Sequence, residues 1–153
     1  MSAGVDICLL APGDDLGPAT VLLGRFFAEE GFTTPDERIA ARLAQMVDLD
    51  ICCVLVASLD GAPAGVATVS LDFGIEFGWA AEIGDLYVVP AARGLGFARR
   101  LVGAASALAR RRGATSLYVT VTRHGEDAGL VGFYDRLGFR DDGRRILARA
   151  LGD

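Results

Sequence analysis

A chain of 153 residues, 52% hydrophobic and 23% charged, has the composition of an ordinary globular domain and buries roughly 70% of its extended-chain surface on folding. Its net charge of −5 excludes a basic nucleic-acid footprint over the whole surface. No uncharged run approaches the roughly 18 residues needed to span a bilayer, so a single domain over residues 1–153 that binds neither nucleic acid nor membrane is expected.

The N-terminal MSAGVDICLL carries Asp6 and no basic start, unlike a signal peptide. Cys8, Cys52 and Cys53 lie in apolar runs without metal-ligand spacing. They are expected as reduced, buried thiols of a cytoplasmic protein that holds no metal.

Val5 to Leu10 reads as a first strand, and Ala11 to Gly17 as turns. Pro18 to Glu30 is helical, with Gly31 as its C-terminal stop. Thr34-Pro35 is a cap and first-turn pair. The helix it opens carries Ile39, Leu43 and Met46 on one face. Ile51 to Leu59 is a strand, and Asp60-Gly61 turns it into its hairpin partner, Ala64 to Phe73. Trp79 to Val89 is a third long strand. Gly94 to Arg112 is the central helix, with Phe97, Leu101, Ala105 and Leu108 at helical spacing. Arg110, Arg111 and Arg112 complement its C-terminal dipole, and Gly113 stops it. Ser116 to Thr122 is a strand, Asp127 to Leu137 a short helix ending at Gly138, and Phe139 onward a final strand through Ile146, Leu147 and Ala148. The order β-α-α-β-β-β-α-β-α-β gives an α/β fold, a mixed sheet with helices on both faces.

The segment from Glu82 to Arg112 carries the chemistry. An apolar strand runs into Pro90, then Arg93, Gly94 and Gly96, then an amphipathic helix. A helix start offers unpaired N–H groups and partial positive charge, which suits a phosphate. The two glycines let the backbone approach a ligand, and Arg93 adds formal charge. A Walker loop needs Lys followed by Ser or Thr, which are missing here. A dinucleotide fingerprint needs a glycine where Arg99 stands, and an acid ending the next strand, where SLYVTVT has none.

Arg93-Gly94-Leu95-Gly96-Phe97-Ala98 is an Arg-x-x-Gly-x-Ala loop after an apolar strand. It resembles the acetyl-CoA-binding motif of the GCN5-related N-acetyltransferase (GNAT) superfamily. Gly129 to Arg140, GLVGFYDRLGFR, resembles that superfamily's later motif, a tyrosine on a short helix before a Leu-Gly-Phe turn. The resemblance implies acetyl-CoA as co-substrate. The backbone of Leu86, Tyr87 and Val88 would pair with the pantetheine arm, and Arg93, Gly94, Leu95, Gly96, Phe97 and Ala98 would hold the diphosphate. It also implies that the strand of Leu86 to Val88 splays from the strand of Ser116 to Thr122, leaving N–H groups that a ligand completes. At Asp127 many members carry an asparagine that bonds the pantetheine. Here Asp127 either keeps that contact or caps the following helix.

Acetyl transfer needs a neutral amine, a polarised thioester carbonyl, a stabilised oxyanion and a proton for the leaving thiolate. Tyr134 aligns with the superfamily's general-acid tyrosine, and a phenol stays protonated at neutral pH. A backbone N–H near Val88 would polarise the carbonyl. Glu82 and Asp85 are candidates for the base or for binding ammonium groups. Strict alternation puts them on opposite faces, and a bulge at Gly84 would bring both to the cleft. His124 reads as a loop histidine, with a base role as the alternative.

For the acceptor, acids suit a cationic amine. The candidates are Glu29, Glu30, Asp36, Asp85, Glu76, Asp141 and Asp142. The run RHGEDAGLVGFYDRLG, with Asp85-Leu86 and the Phe-x-x-Glu of Phe27 to Glu30, looks like aminoglycoside 3-N-acetyltransferases. An aminoglycoside antibiotic is therefore the sharpest substrate expectation. A protein or peptide amine, and a non-catalytic acyl-CoA-binding module, are the alternatives. The resemblance and the apolar fraction both permit a homodimer.

Overall fold

Alternating apolar residues between tight turns give this chain a sheet, and 3.6-residue periodicity gives it the helices that cover the sheet. The computed structural model describes residues 4–152; residues 1–3 and 153 of the expected single domain lie outside them. The chain forms two compact units, one through Thr120 and one from Val121.

The first unit contains β1 (Val5–Leu9), α1 (Gly17–Glu29), α2 (Asp36–Asp48), β2 (Cys52–Leu59), β3 (Ala62–Gly74), β4 (Gly78–Val88), α3 (Phe97–Arg111) and β5 (Ser116–Val119). The strands lie in the order β1-β2-β3-β4-β5. All neighbours are antiparallel except β4 and β5, which are parallel. Asp60 (φ 49°) and Gly61 (φ 85°) join β2 to β3. Both lie in the left-handed region, as in the type I′ hairpin turn, which matches strand twist.

Helices cover both faces of this sheet. α1 and α2 set Ala19, Leu22, Leu23, Ile39 and Leu43 against Val54, Val56, Val66 and Tyr87, and Met46 packs at the edge of this cluster. α3 buries Phe97, Leu101, Val102, Ala105, Leu108 and Ala109. Each large aliphatic side chain fully buried here contributes about 2 kcal/mol. Gly65 allows the close approach of α3: a Cβ there would lie 3.0 Å from both Leu101 Cδ1 and the Tyr87 carbonyl.

The structure corrects several sequence expectations. Thr34 does not cap α2; Pro35 holds that position in extended conformation, with no side-chain cap. The Pro35 carbonyl instead accepts from the N–H groups of Arg38 and Ile39. The central helix begins at Phe97, not Gly94, because Gly94 and Gly96 are left-handed. Cys8 is exposed, on the outermost strand β1. Cys53 is buried and Cys52 half-buried, and burial pushes both thiols up. Arg112 is more than a solvated helix end, since it donates to the Asp50 carbonyl at 2.5 Å.

The second unit contains α4 (Arg123–Asp127) and α5 (Leu130–Arg136), where the sequence suggests one helix from Asp127 to Leu137. Gly129, at φ 84°, breaks the run in two. The final strand expected through Ile146, Leu147 and Ala148 is not formed among the described residues. Asp141 Oδ1 accepts from the Gly143 N–H and Asp142 Oδ1 from the Arg144 N–H. These local bonds turn the chain at Gly143 (φ 79°) and compete with a ladder.

Candidate active site

The site starts from a mismatch in strand length. β5 pairs with β4 over only four residues, Ala80–Ile83 against Ser116–Val119. β4 continues to Val88, still paired with β3 on its other side. From Gly84 onward its β5 side has no strand partner among the described residues, as the resemblance implies. Backbone direction along this segment follows from one bond: the Val89 N–H donates to the Ala64 carbonyl of the β3 side. By antiparallel alternation Tyr87 also faces β3, opposite Val66, while Leu86 and Val88 face the open edge. The Val88 carbonyl confirms this direction by accepting from Arg93 Nε at 2.9 Å. Of the three residues expected to offer backbone to a ligand, Leu86 and Val88 turn their backbone groups to the open edge and Tyr87 turns its own to β3. Tyr87 commits its side chain to the core.

The strand leads through a short 3-10 turn, Pro90–Ala92, into the glycine loop. Gly94 has φ 78° and Gly96 φ 85°, and a Cβ at either would meet nothing within 4 Å. The backbone is therefore bare on its open side. Gly96 is the N-cap of α3 and supplies no side-chain cap bond, so the first-turn N–H groups have no intrahelical acceptor. Phe97 is buried and anchors the helix start, while Leu95 is exposed. A left-handed glycine cradle ahead of an uncapped helix, beside an open strand edge, fits an extended ligand carrying a diphosphate.

The bulge expected at Gly84 is present. Thr68 pairs with Asp85 and the next β3 residue, Val69, pairs with Ile83, leaving Gly84 as the extra residue. Ser70 faces Glu82, so the bulge returns Glu82 and Asp85 to one face, that of Thr68 and Ser70. Thr68, 2% exposed, donates its hydroxyl to Asp85 Oδ2 at 2.5 Å. Burial pushes the Asp85 carboxyl above the ordinary aspartate range, and the Thr68 hydrogen bond partly offsets this. Glu82 Oε1 accepts from the Thr120 hydroxyl at 3.2 Å. Thr68 and Thr120, which hold these two carboxylates, were not singled out by the sequence reading. A polar pair two apart in an apolar strand, Thr68 and Ser70, was the available signal.

Arg93 is tied down. Its Nη2 donates to Glu29 Oε2 at 2.7 Å, and its guanidinium lies 5.6 Å from the Tyr87 ring centre. The Tyr87 hydroxyl donates to Glu29 Oε1 at 2.8 Å. Hydrogen bonds from Arg93, then from Tyr87, hold the Glu29 carboxyl below the ordinary range. Glu29, read from the sequence as an acceptor-binding acid, thus has both oxygens engaged, by Tyr87 and Arg93. Glu30 is the residue at the C-terminal end of α1, and Asp36 opens α2. Glu76 lies between β3 and β4.

In the second unit Tyr134 is 8% exposed, flanked by Phe133 and Phe139 at ring-centre distances of 5.0 and 5.2 Å. Burial alone pushes its phenol up, which keeps it protonated through neutral pH. Asp127 closes α4 and does not cap the next helix, whose N-cap is Gly129. His124 lies within α4, which Thr122 caps by accepting from the Gly125 N–H at 3.1 Å. Asp142 pairs with Arg144 at 3.4 Å. Among the described residues no group of three or more His, Cys, Asp or Glu is placed to hold a metal, and no helix is long and apolar enough to cross a membrane.

Residues 21–139 match the model of the acetyltransferase (GNAT) family, and the chain belongs to that family. No curated protein sequence matches it. Among solved structures it is similar to the aminoglycoside N-acetyltransferase AAC(6′)-Iy in complex with CoA: TM-score 0.85, 19% identity, covering 99% of this chain and 98% of that one. An aminoglycoside acetyltransferase from an uncultured soil metagenomic sample, in complex with trehalose, matches at TM-score 0.78 and 21% identity over 97% of each chain. The ribosomal-protein-alanine N-acetyltransferase of Brucella melitensis biovar Abortus 2308 matches at 0.77 and 22%, over 96% of this chain and 99% of that one. At these identities the likeness is one of fold. The first of these structures carries the 6′ designation, where the sequence resemblance points to the 3-N type.

Proposed function

We propose that this GNAT acetyltransferase moves an acetyl group from acetyl-CoA to a primary amine of a small cationic acceptor, with an aminoglycoside as the substrate class. The observation that carries the reading is the open half of β4 running into the uncapped start of α3. Leu86 would pair its free backbone groups with the pantetheine arm, and Val88, whose carbonyl Arg93 takes up, would offer its N–H at the thioester end. The N–H groups from Gly94 to Ala98 would hold the diphosphate, without a metal and without a Cβ in the way.

Glu82 and Asp85, brought to one face by the bulge, supply the acid-base and ammonium-binding chemistry. One of them takes the proton that the attacking amine must lose, directly or through a water. The new N–C bond forms at the thioester carbonyl, which the Val88 N–H polarises. As the C–S bond breaks, Tyr134 gives its proton to the departing thiolate. Asp85 is the better-placed base on electrostatic grounds, because its raised pKa brings proton affinity nearer to working pH.

Glu30, Asp141 and Asp142 are the acids proposed to attract the cationic acceptor. A homodimer and a cytoplasmic location are part of the same proposal. Coenzyme A release measured against aminoglycosides, polyamines and N-terminal peptides tests it. Turnover with a cationic small amine supports the reading. Turnover with peptides alone reassigns the acceptor, and CoA binding without turnover on any amine leaves only a binding module. Tyr134→Phe is expected to lower kcat by about 100-fold with CoA affinity unchanged.

A further inference from the structure

We propose that Glu29 is a positioning residue that locks Arg93, and with it the entry to the glycine loop, onto the open half of β4. The inference rests on the acetyl-CoA reading of that loop and deepens it.

Three elements meet at one carboxylate. Glu29 is the last residue of α1. Its Oε1 accepts from Tyr87 of β4 at 2.8 Å and its Oε2 from Arg93 at 2.7 Å. Arg93 also donates through Nε to the Val88 carbonyl at 2.9 Å and packs over the Tyr87 ring. The guanidinium is thereby held at two edges, by the strand backbone and by the helix end. Phe26 adds a second tie between the same elements, with its ring centre 5.6 Å from that of Tyr87.

The mechanical consequence follows from position. Arg93 directly precedes Gly94, and between Gly94 and Gly96 only the exposed Leu95 contributes a side chain. Such a loop has little of its own to fix it, and every loop residue ordered on binding costs affinity. Anchoring Arg93 orders the loop beforehand. The electrostatic consequence points the same way. Glu29 neutralises the guanidinium, so Arg93 acts on the diphosphate by placing the loop N–H groups and not by its own net charge. Its Nε bond also takes up the Val88 carbonyl, leaving the Val88 N–H as that residue's open group on the edge.

A direct-grip role for Arg93 and this latch predict opposite signs. If Arg93 gripped the diphosphate, removing Glu29 would free the cation and tighten binding. If the latch holds, removing Glu29 loosens the loop. The test is calorimetric titration of the full chain with CoA, alongside steady-state kinetics in acetyl-CoA, for wild type, Glu29→Ala, Glu29→Gln, Arg93→Ala and the double alanine variant. Thermal melts establish that each variant is folded. Glu29→Ala is expected to weaken CoA binding about five-fold. KM for acetyl-CoA should rise with it while kcat stays within about two-fold. Glu29→Gln, which keeps an acceptor for one of the two donors, should fall between wild type and Glu29→Ala. The double variant should be no worse than the worse single one, because both changes open the same latch.

Tighter or unchanged CoA binding in Glu29→Ala overturns the proposal, as do losses that multiply in the double variant. Should wild type itself give no heat with CoA, the acetyl-CoA reading of the loop fails instead.

Discussion

The two halves of β4 are built alike and do different work. From Gly78 to Ile83 the strand is held on both sides, by β3 and, through its last four residues, by β5. Its Ala80, Ala81 and Ile83 are buried. From Gly84 to Val88 the β3 ladder continues and the β5 ladder is gone. The first half is scaffold; the second leaves one backbone edge open, the edge proposed above for the pantetheine arm. The changeover occurs at one extra residue, Gly84, which also turns Asp85 to the face of Glu82. The bulge sits where the β5 pairing stops, and it aims the carboxylate, because one extra residue reverses the alternation of faces along the strand.

The contrast is sharpened most by Ile83→Ala, in the scaffold half. Removing a side chain that is 4% exposed is expected to cost about 3 kcal/mol and lower Tm by roughly 10 °C. Turnover per folded molecule should be preserved at temperatures below the melt. Loss of turnover without loss of Tm would break the division of labour.

Asp85→Asn, in the open half, should do the reverse. A drop of about 100-fold in kcat/KM is expected, with Tm unchanged or raised, since the buried charge is removed. The pH profile gives the sign. A base works ionised, so the rate climbs as pH rises through its pKa, and for Asp85 that limb lies above the ordinary aspartate range. The limb should vanish in Asp85→Asn. If it persists there and vanishes in Glu82→Gln, Glu82 is the base.

Gly84→Ala probes the junction itself. The new Cβ would sit 3.2 Å from Thr68 Oγ1 and push that hydroxyl off Asp85, at a stability cost of roughly 1 kcal/mol. The Thr68 bond lowers the Asp85 pKa, so its weakening should move the activity limb to higher pH. A shift to lower pH would contradict this assignment.

The smallest effect concerns stability in acid. The folded-state pKa of Glu29 is depressed, so its contribution is present above the unfolded value and is lost as pH falls through the folded one. Chemical denaturation of wild type and Glu29→Gln should show a stability gap at neutral pH that closes in acid. A gap independent of pH would mean that the carboxylate charge is not what holds the latch.

Much of this was legible along the chain. Asp60-Gly61 announced its hairpin, because Asp-Gly readily takes the two positive φ angles of a type I′ turn, which matches strand twist. The helix faces of α2 and α3 were readable from spacing, since burial follows periodicity. The glycine loop was readable because glycine is the residue that a bare, left-handed backbone selects. Less legible were elements whose fate depends on distant partners. The run after Phe139 has strand-forming residues, yet the aspartates turn it locally. Arg93 advertised a charge for phosphate, and nothing near it in the chain reveals that Glu29, 64 residues away, takes it up.

The sequence by itself determined much of the local geometry: the Asp60-Gly61 turn, which stripes are apolar, and that a glycine loop leads into a helix. Tertiary structure alone decided the pairings, namely where β5 leaves β4, that Asp85 meets Thr68, and that Arg93 is anchored to α1. The reason is range. Backbone conformation and periodicity are set by neighbours within a few residues, whereas a hydrogen-bond partner or a free strand edge exists only once separate segments have been packed side by side.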